Sequence, residues 1–211
     1  MPIKTILFDL DGTLLQSVDV ILGAFRDTFR TFLPDLELKE EDYSGFLGQT
    51  LFDTFGYYAD ETMVSAMIEH YRNVSDQAFE KELLAYPHAK ETLSYLKQHG
   101  STIGIVTSKM RHVALDHLRR IGLIELIDGL IGYEDVRKHK PDAEPIEKAL
   151  NLFKAKPEET IYVGDHENDI RSAKAAGILS CAVTYSHRLR EMLVLQPEYA
   201  IDDLVHLKDV I

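Results

Sequence analysis

Short apolar segments that alternate with amphipathic ones constrain the fold of this chain more than any other feature of its sequence. Four largely apolar runs of four to six residues are each bounded by polar or turn-forming residues, which is typical of buried strands. Strands that alternate with helical patterns predict a parallel sheet covered by helices on both faces. The predicted strands are residues 3–8, 102–106, 160–163 and 180–184, with short edge strands at 130–132 and 199–201.

Segments with helical periodicity lie between these strands. Three of them are followed by Gly100, Gly122 or Gly177, and glycine is the residue most often found just after the C-terminus of a helix. A fourth segment follows Pro141 and Asp142, a pair that is typical of a helix N-terminus. The pattern as a whole predicts an α/β fold with a parallel sheet. The predicted helices are residues 88–99, 112–121, 144–153 and 169–176.

The alternation is interrupted between residues 16 and 83, where only helical patterns occur. We predict helices at 18–32, 51–56 and 61–82. A helical stretch of this length, placed after the first strand, predicts a small all-helical domain inserted into the sheet domain. The predicted domains are therefore a core of residues 1–15 and 84–211 and a helical domain of residues 16–83.

Charge and composition exclude several classes of function. The 211-residue chain carries a formal net charge of -12, which argues against broad binding to nucleic acids. No apolar run approaches the length that crosses a membrane, and the N-terminus does not resemble a signal peptide, so a cytoplasmic location without membrane partners is predicted. The single cysteine, Cys181, excludes an intramolecular disulfide and is predicted to be buried. Both a monomer and a homodimer remain open.

Polar side chains follow three of the predicted strands at the point where each strand ends. The carboxyl ends of parallel strands meet at one edge of a sheet, which is where ligands bind in folds of this class. We therefore expect these side chains to lie close together. They are Asp9 and Asp11 after the first strand, Thr107 and Ser108 after the second, and Asp165 and Asp169 after the strand at 160–163, with Lys140 in a loop beyond 130–132.

The four carboxylates in this set predict a metal site, because they cannot all be ionised in a small volume without a cation. Carboxylate oxygens together with a phosphate are the usual surroundings of Mg²⁺. A carboxylate is also a nucleophile towards phosphoryl groups, and Asp9 is the candidate. Asp11 would then protonate the leaving oxygen and later accept a proton from the attacking water.

The remaining residues of the set are candidates for binding the substrate phosphate. Gly12 lets the backbone bend close to the phosphate, and Thr13 helps to fix that loop. Thr107 and the backbone N–H groups at Ser108 can bind phosphoryl oxygens, although Thr107 could instead only begin the next helix. Lys140 supplies a compact positive charge. Asp169 could likewise be only an acidic residue at a helix N-terminus.

These motifs together resemble those of the haloacid dehalogenase-like superfamily. Residues 9–13, Asp-Leu-Asp-Gly-Thr, resemble its first motif, and Thr107, Lys140 and residues 164–169 resemble its second, third and fourth motifs in order. The resemblance covers the whole chain and implies a Rossmann-like core with a helical cap at residues 16–83. It also implies that the cap closes over the substrate about hinges near 14–17 and 83–87.

The resemblance further implies which residues bind the metal. Mg²⁺ would be held by the Asp9 side chain, the Asp11 backbone carbonyl and Asp165, with Asp169 contributing directly or through water. The cap loop that contains Gly48 and Gln49 would face the substrate.

Within the family, the pattern favours phosphatases. Dehalogenase members lack an aspartate at the position of Asp11, phosphonate-cleaving members use a lysine that residues 18–32 do not contain, and mutases usually carry a histidine that residues 17–21 lack. The general pattern resembles that of phosphoglycolate phosphatases. Segments 46–55, 140–145 and 155–160 resemble more closely those of bacterial pyrophosphatases, in which an asparagine stands where this chain has His166.

The prediction for function is a Mg²⁺-dependent phosphatase that acts on a small phosphomonoester or on pyrophosphate through an aspartyl phosphate. A sugar-phosphate mutase and a non-catalytic regulator that binds a phosphorylated ligand remain as alternatives. Two expectations about packing accompany this prediction. His166 is expected to be exposed in its loop. The aromatic residues of the helical domain, namely Phe25, Phe29, Phe32, Tyr57 and Tyr58, are expected to form its core.

Overall fold

The protein is described from a computed structural model that covers residues 2–81 and 83–210. The chain divides into two compact units, Met1–Gln16 with Leu84–Ile211 and Ser17–Leu83, called here the core unit and the helical unit. Among the residues described, no helix is both long enough and apolar enough to cross a membrane.

The core unit is built on a parallel sheet of six strands in the order β3-β2-β1-β4-β5-β6. This arrangement confirms the predicted Rossmann-like α/β fold. The first and last residues of each strand lie within two positions of those predicted, because apolar runs bounded by polar residues define strand ends well. The strands are β1 (Thr5–Phe8), β2 (Thr102–Val106), β3 (Gly129–Ile131), β4 (Thr160–Gly164), β5 (Leu179–Val183) and β6 (Tyr199–Ile201).

Both faces of this sheet are buried. Successive side chains of a strand point to opposite faces, so Ile6 and Phe8 share one face and Leu7 lies on the other. All three are fully buried, which shows that helices cover the sheet on each side. The predicted burial of Cys181, in β5, is confirmed. The helices of the core unit are α5 (Ala89–Gln98), α6 (Arg111–Arg120), α7 (Glu144–Phe153), α8 (Glu167–Ala175) and α9 (Leu189–Val194).

The helical unit contains α1 (Val18–Phe32), α2 (Glu40–Gly45), α3 (Leu51–Gly56) and α4 (Glu61–Lys81). Aromatic rings form its core: the ring centroids of Phe25 and Phe29 lie 5.7 Å and 5.5 Å from that of Phe55. These distances are typical of favourable aromatic pairs. The expectation for Tyr57 is wrong, because its side chain is 84% exposed at the end of α3, whereas Phe32 and Tyr58 pack at the edge of the core.

Two helices were not predicted, namely α2 and α9. Each has only six residues, so periodicity is a weak signal there, and neither is followed by the kind of clear pattern that indicated α3, which is equally short. The helix predicted at 169–176 begins two residues earlier, at Glu167, because polar groups of the preceding loop satisfy its first turn. The last residue of the helix predicted at 61–82 lies outside the described residues.

The two chain segments that flank the helical unit are hydrogen-bonded to each other inside the core unit. The Gln16 N–H donates to the Leu84 carbonyl at 2.9 Å, and the Tyr86 N–H donates to the Leu14 carbonyl at 2.9 Å. The Gln16 side-chain amide donates to the Ala85 carbonyl at 2.8 Å. We call this pairing of residues 14–16 with 84–86 the connector ribbon.

Candidate active site

The order of the strands brings the predicted site residues to one edge of the sheet. Strand β1 lies between β2 and β4, and Phe8 at its end is in register with residues of both neighbours. Asp9, Thr107 and Asp165 directly follow these three strands. The Asp9 N–H extends the pairing by donating to the Val163 carbonyl at 2.9 Å. Three of the four predicted motifs are therefore positioned by neighbouring strands, as expected for this class of sheet.

Three carboxylates form a buried cluster at this edge. Asp9, Asp165 and Asp169 each offer an oxygen, and these oxygens lie within 4.8 Å of one another. The three residues are at most 6% exposed. Such a set of oxygen donors fits a hard divalent cation such as Mg²⁺. Asp11 does not belong to the cluster through its carboxylate, so the expected group of four side chains is a group of three.

Electrostatics also supports a cation at this cluster. Burial raises the pKa of Asp9 to about 7, while Lys140 opposes the shift and Asp169 adds to it. Burial and the neighbouring Asp9 raise the pKa of Asp165 well above its usual value. The cluster therefore resists full ionisation in the protein alone, and a bound cation would relieve the repulsion between its carboxylates.

Lys140 bridges two members of the cluster. Its Nζ lies 2.8 Å from Asp9 Oδ1 and 2.6 Å from Asp169 Oδ1, and its side chain is only 5% exposed. Although burial opposes its charge, Asp169 and Asp9 raise the pKa of Lys140 well above its usual value. Lys140 is therefore a permanent cation beside Asp9, rather than a solvated loop lysine.

Tyr162 contacts this lysine through its hydroxyl group. This residue was not predicted. Its hydroxyl accepts a hydrogen bond from Lys140 Nζ at 3.1 Å and donates to the Val106 carbonyl at 2.7 Å. Tyr162 is fully buried in β4, so the contact fixes Lys140 against two strands. The sequence signal was a tyrosine within a largely apolar strand, because a buried tyrosine hydroxyl requires a partner.

Gly12 and Thr13 contact Asp165. Gly12 has φ +79°, and a Cβ at this position would lie 2.1 Å from Asp165 Oδ2. The Thr13 hydroxyl is 3.4 Å from Asp165 Oδ1, and Tyr185 anchors the loop by donating to the Thr13 carbonyl at 2.8 Å. The close approach that requires glycine is therefore made to a carboxylate of the cluster, whereas the expected role of Gly12 and Thr13 in phosphate binding stays a prediction.

Replacing Gly12 with alanine is expected to displace Asp165 and to weaken metal binding at least about tenfold, because the metal site tolerates little displacement of its ligands. Gly100 is a matched control: its φ is +81°, but a Cβ there would meet nothing within 4 Å. Both substitutions cost about 1 kcal/mol of backbone strain. Calorimetric titration of each variant with Mg²⁺ measures the difference, and equal affinities in the two variants would contradict the assignment.

The loop of the fourth motif is more buried than expected. His166 is only 5% exposed, so the expectation of an exposed histidine is wrong. Its Nδ1 accepts a hydrogen bond from the Asn168 N–H at 3.0 Å, which satisfies a free donor in the first turn of α8. Burial lowers the pKa of His166, consistent with a neutral ring that accepts at Nδ1.

Asp169 lies in the first turn of α8, as one of the two readings of the sequence expected, whereas its role as a metal ligand stays a prediction. Its Oδ2 accepts a hydrogen bond from the His166 N–H at 3.0 Å at the start of α8, while its Oδ1 pairs with Lys140.

Neighbouring Glu167 is held by Arg188, which lies 3.1 Å and 2.6 Å from its two oxygens. Arg188 was not predicted, because it is 21 residues away and carries no motif signal.

Asp11 is paired with a lysine that was not predicted. Lys109 Nζ lies 2.8 Å from Asp11 Oδ1 and 3.2 Å from His117 Nδ1. The Lys109 N–H also donates to the Thr107 hydroxyl at 3.2 Å, so Thr107 does organise the turn that follows β2. The only signal in the sequence was that Lys109 follows the second motif by two residues.

His117 gives the stability of the protein a predictable dependence on pH. Burial, and next the charge of Lys109, lower the pKa of His117 from 6.5 to about 4. In the unfolded chain His117 binds a proton near pH 6.5, whereas in the folded chain it binds one only near pH 4. The free energy of unfolding therefore falls as the pH drops through this window. The free energy of unfolding is expected to fall by up to about 3 kcal/mol on this account. Urea denaturation across the window would show a flatter profile for His117→Asn, and identical profiles would contradict the shift.

The remaining predicted residues are less constrained. Ser108 is half-buried after β2. Gly48 and Gln49 belong to the helical unit, between α2 and α3, where Gly48 has φ +73° and the Gln49 side chain donates to the Gly45 carbonyl at 2.7 Å. Their assignment to substrate binding stays a prediction.

Comparison with known proteins identifies the family of this chain. A model of the haloacid dehalogenase-like hydrolase family matches residues 6–183 of the chain. The chain therefore belongs to the haloacid dehalogenase-like hydrolases, and the prediction of an enzyme of this family is confirmed.

Individual relatives agree with this assignment. The chain is 36% identical over 212 residues to the pyrophosphatase PpaX of Bacillus cereus, covering 100% of this chain and 97% of that protein. Its structure is similar to that of a protein from Bacteroides fragilis described as a haloacid dehalogenase-like hydrolase, with 30% identity, a TM-score of 0.88 and coverage of 97% and 99% of the two chains. A predicted phosphoglycolate phosphatase from Haemophilus somnus, 22% identical with a TM-score of 0.87 over 99% and 97% of the chains, shares the fold.

Proposed function

We propose that this hydrolase is a metal-dependent phosphatase that uses Asp9 as its nucleophile. The observation that carries the proposal is the buried cluster of Asp9, Asp165 and Asp169, with Lys140 bridging two of its members. A nucleophilic carboxylate, a fixed cation and a set of oxygen ligands are the parts that phosphoryl transfer requires. The family assignment supports this reading of the cluster.

In the first half of the proposed reaction, an oxygen of Asp9 attacks the phosphorus atom and the bond to the leaving oxygen breaks. Lys140 holds the Asp9 carboxylate through Oδ1 and offsets the negative charge that gathers there. Asp11 donates a proton to the leaving oxygen, so that an alcohol or a protonated phosphate departs. The product on the enzyme is an aspartyl phosphate at Asp9.

In the second half, a water molecule attacks the phosphorus atom of the aspartyl phosphate. Asp11, now ionised, accepts a proton from this water, and the bond between phosphorus and Asp9 breaks. Inorganic phosphate and the free Asp9 carboxylate result. The Thr107 hydroxyl and the backbone after it are proposed to bind the phosphoryl oxygens in both steps.

The proposed metal ligands are Asp9, Asp165 and the Asp11 backbone carbonyl. Asp169 acts through water, because its two oxygens already accept from Lys140 and the His166 N–H. A bound Mg²⁺ would neutralise part of the charge on the phosphoryl group and let the carboxylate approach it. The Thr13 hydroxyl donates to Asp165, and the lack of a Cβ at Gly12 leaves room for its carboxylate.

A small anionic substrate fits the proposal, namely a phosphomonoester or pyrophosphate. Pyrophosphate is supported by the 36% identity to a pyrophosphatase over the full chain. The general resemblance to phosphoglycolate phosphatases supports a phosphomonoester with a short acidic leaving group. The helical unit, including Gly48 and Gln49, is proposed as the part that selects between them.

The experiment that tests the proposal measures phosphate release from pyrophosphate, phosphoglycolate, sugar phosphates and nucleotides, with Mg²⁺ and with a chelator. Metal-dependent release from at least one compound is expected. Conversion of a sugar phosphate into its isomer without release of phosphate would contradict hydrolysis and indicate a mutase. Absence of turnover on the whole panel would leave the non-catalytic binding function.

A further inference from the structure

The two aspartates of the first motif are paired with two different lysines. Lys140 contacts Asp9 at 2.8 Å, and Lys109 contacts Asp11 at 2.8 Å. The second pair is partly buried: the side chains of Lys109 and Asp11 are 14% and 20% exposed. An ion pair that is shielded from water in this way restricts its two side chains more than a surface pair does.

A buried imidazole holds Lys109 from the other side. His117, in α6, is 3% exposed, and its Nδ1 lies 3.2 Å from Lys109 Nζ. Because burial and Lys109 lower the pKa of His117, its ring is neutral, and its Nδ1 can accept a hydrogen bond from the ammonium group. Lys109 is therefore held between a neutral acceptor on a helix and the carboxylate of Asp11.

We propose that Lys109, held by His117, is the positioning residue for Asp11. The inference rests on the proposed function, in which Asp11 exchanges a proton with the leaving oxygen and with water. Such an exchange requires the carboxyl oxygen to lie within hydrogen-bond reach of its partner. An aspartate side chain that is not held has several staggered rotamers, of which only some meet this condition.

The geometry specifies how Lys109 performs this role. It donates to Oδ1 of Asp11 at 2.8 Å and so restricts the orientation of the carboxyl group. The backbone N–H of Lys109 also donates to the Thr107 hydroxyl at 3.2 Å, so the same residue ties the turn after β2 to the first motif. A change at Lys109 should therefore reduce proton transfer without removing any group that contacts the phosphate.

The test compares two leaving groups in the holoenzyme. Ethyl phosphate releases an alkoxide that needs a proton, whereas 4-nitrophenyl phosphate releases a stable phenolate that does not. In Lys109→Met, kcat/KM for ethyl phosphate is expected to fall about 100-fold, the usual contribution of general acid catalysis. The value for 4-nitrophenyl phosphate is expected to fall less than about fivefold, since its departure needs no acid.

Variants at His117 provide the second arm. His117→Asn keeps an acceptor close to the position of Nδ1, whereas His117→Phe fills the space without one. We expect the larger loss of kcat/KM on ethyl phosphate than on 4-nitrophenyl phosphate to occur in His117→Phe as well, and to be largely absent in His117→Asn. Lys97→Met is the matched control, because Lys97 also pairs with an aspartate, Asp128, at 2.6 Å but on a distant part of the core unit.

Equal losses on both leaving groups in Lys109→Met, or no loss, would overturn the proposal while leaving the phosphatase function intact. A wild-type enzyme without turnover would instead refute the proposed function. In that case a crystal structure of Lys109→Met still tests the inference. The Asp11 side chain is expected to adopt a different rotamer, and an unchanged position of its carboxylate would overturn the positioning role.

Discussion

Replacing Asp9 with asparagine is expected to lower turnover at least about 10⁴-fold on every substrate that the protein hydrolyses. The amide is a poor nucleophile and cannot form the aspartyl phosphate. Its shape is nearly that of the carboxyl group, and its oxygen can still accept from Lys140, so the fold should be retained. Phosphate release and circular dichroism measure the two effects. Asp116→Asn, at a side chain that is 56% exposed, is the control, and near-normal turnover in Asp9→Asn would refute the mechanism.

The same variant should be at least as stable as the wild type without metal. The pKa of Asp9 is raised from 3.8 to about 7, so the stability linked to its protonated form is complete below pH 3.8 and is lost as the pH rises through about 7. At about pH 8 the wild type therefore carries a buried charge that the variant lacks. We expect an equal or higher Tm for the variant, and a smaller rise in Tm when Mg²⁺ is added.

Replacing Lys140 with methionine is expected to be the most destabilising substitution at this site. The ammonium group is the shared partner of Asp9 and Asp169, and its removal leaves two buried carboxylates facing each other. Removing one partner of a buried ion pair typically costs about 3–5 kcal/mol. Lys148→Met is the control, since that side chain is 44% exposed, and surface ion pairs contribute little.

Urea denaturation without metal measures this difference, and added Mg²⁺ provides a second readout. A divalent cation can replace part of the lost positive charge, so it should stabilise Lys140→Met more than it stabilises the wild type. Turnover should nevertheless stay low, because the cation does not hold the nucleophile as Lys140 does. If the two lysine variants were equally stable, the ion-pair cluster would not have the energetic role assigned to it.

The parts of the site that lie directly after strands could be predicted from the sequence. Asp9, Thr107 and Asp165 follow apolar runs that can only be buried strands, and parallel strands bring their ends together. The fold followed from the same pattern. Helices with a strong apolar periodicity, such as α1 and α7, also begin and end where the sequence indicated.

The contacts that hold the site could not be predicted, because they join residues far apart in the chain. Lys109 and Asp11 are separated by 98 residues, and Lys140 and Asp9 by 131. No local pattern specifies which lysine reaches which carboxylate. The burial of His166 was missed for a different reason. Its partner, the Asn168 N–H, is only two residues away, but a polar loop residue is expected to be exposed unless such a donor is known to be available to it.

The connector ribbon affects how the length of such a chain can change in evolution. Because residues 14–16 and 84–86 are hydrogen-bonded within the core unit, the intervening segment is a closed loop whose ends are already joined. The entropy of closing a loop grows only slowly with its length, by about 0.6 kcal/mol for each doubling. Insertions and deletions between residues 17 and 83 therefore change the free energy of folding of the sheet very little. The specificity of such a chain can diversify in length and sequence there, while the carboxylate cluster and its lysines stay unchanged.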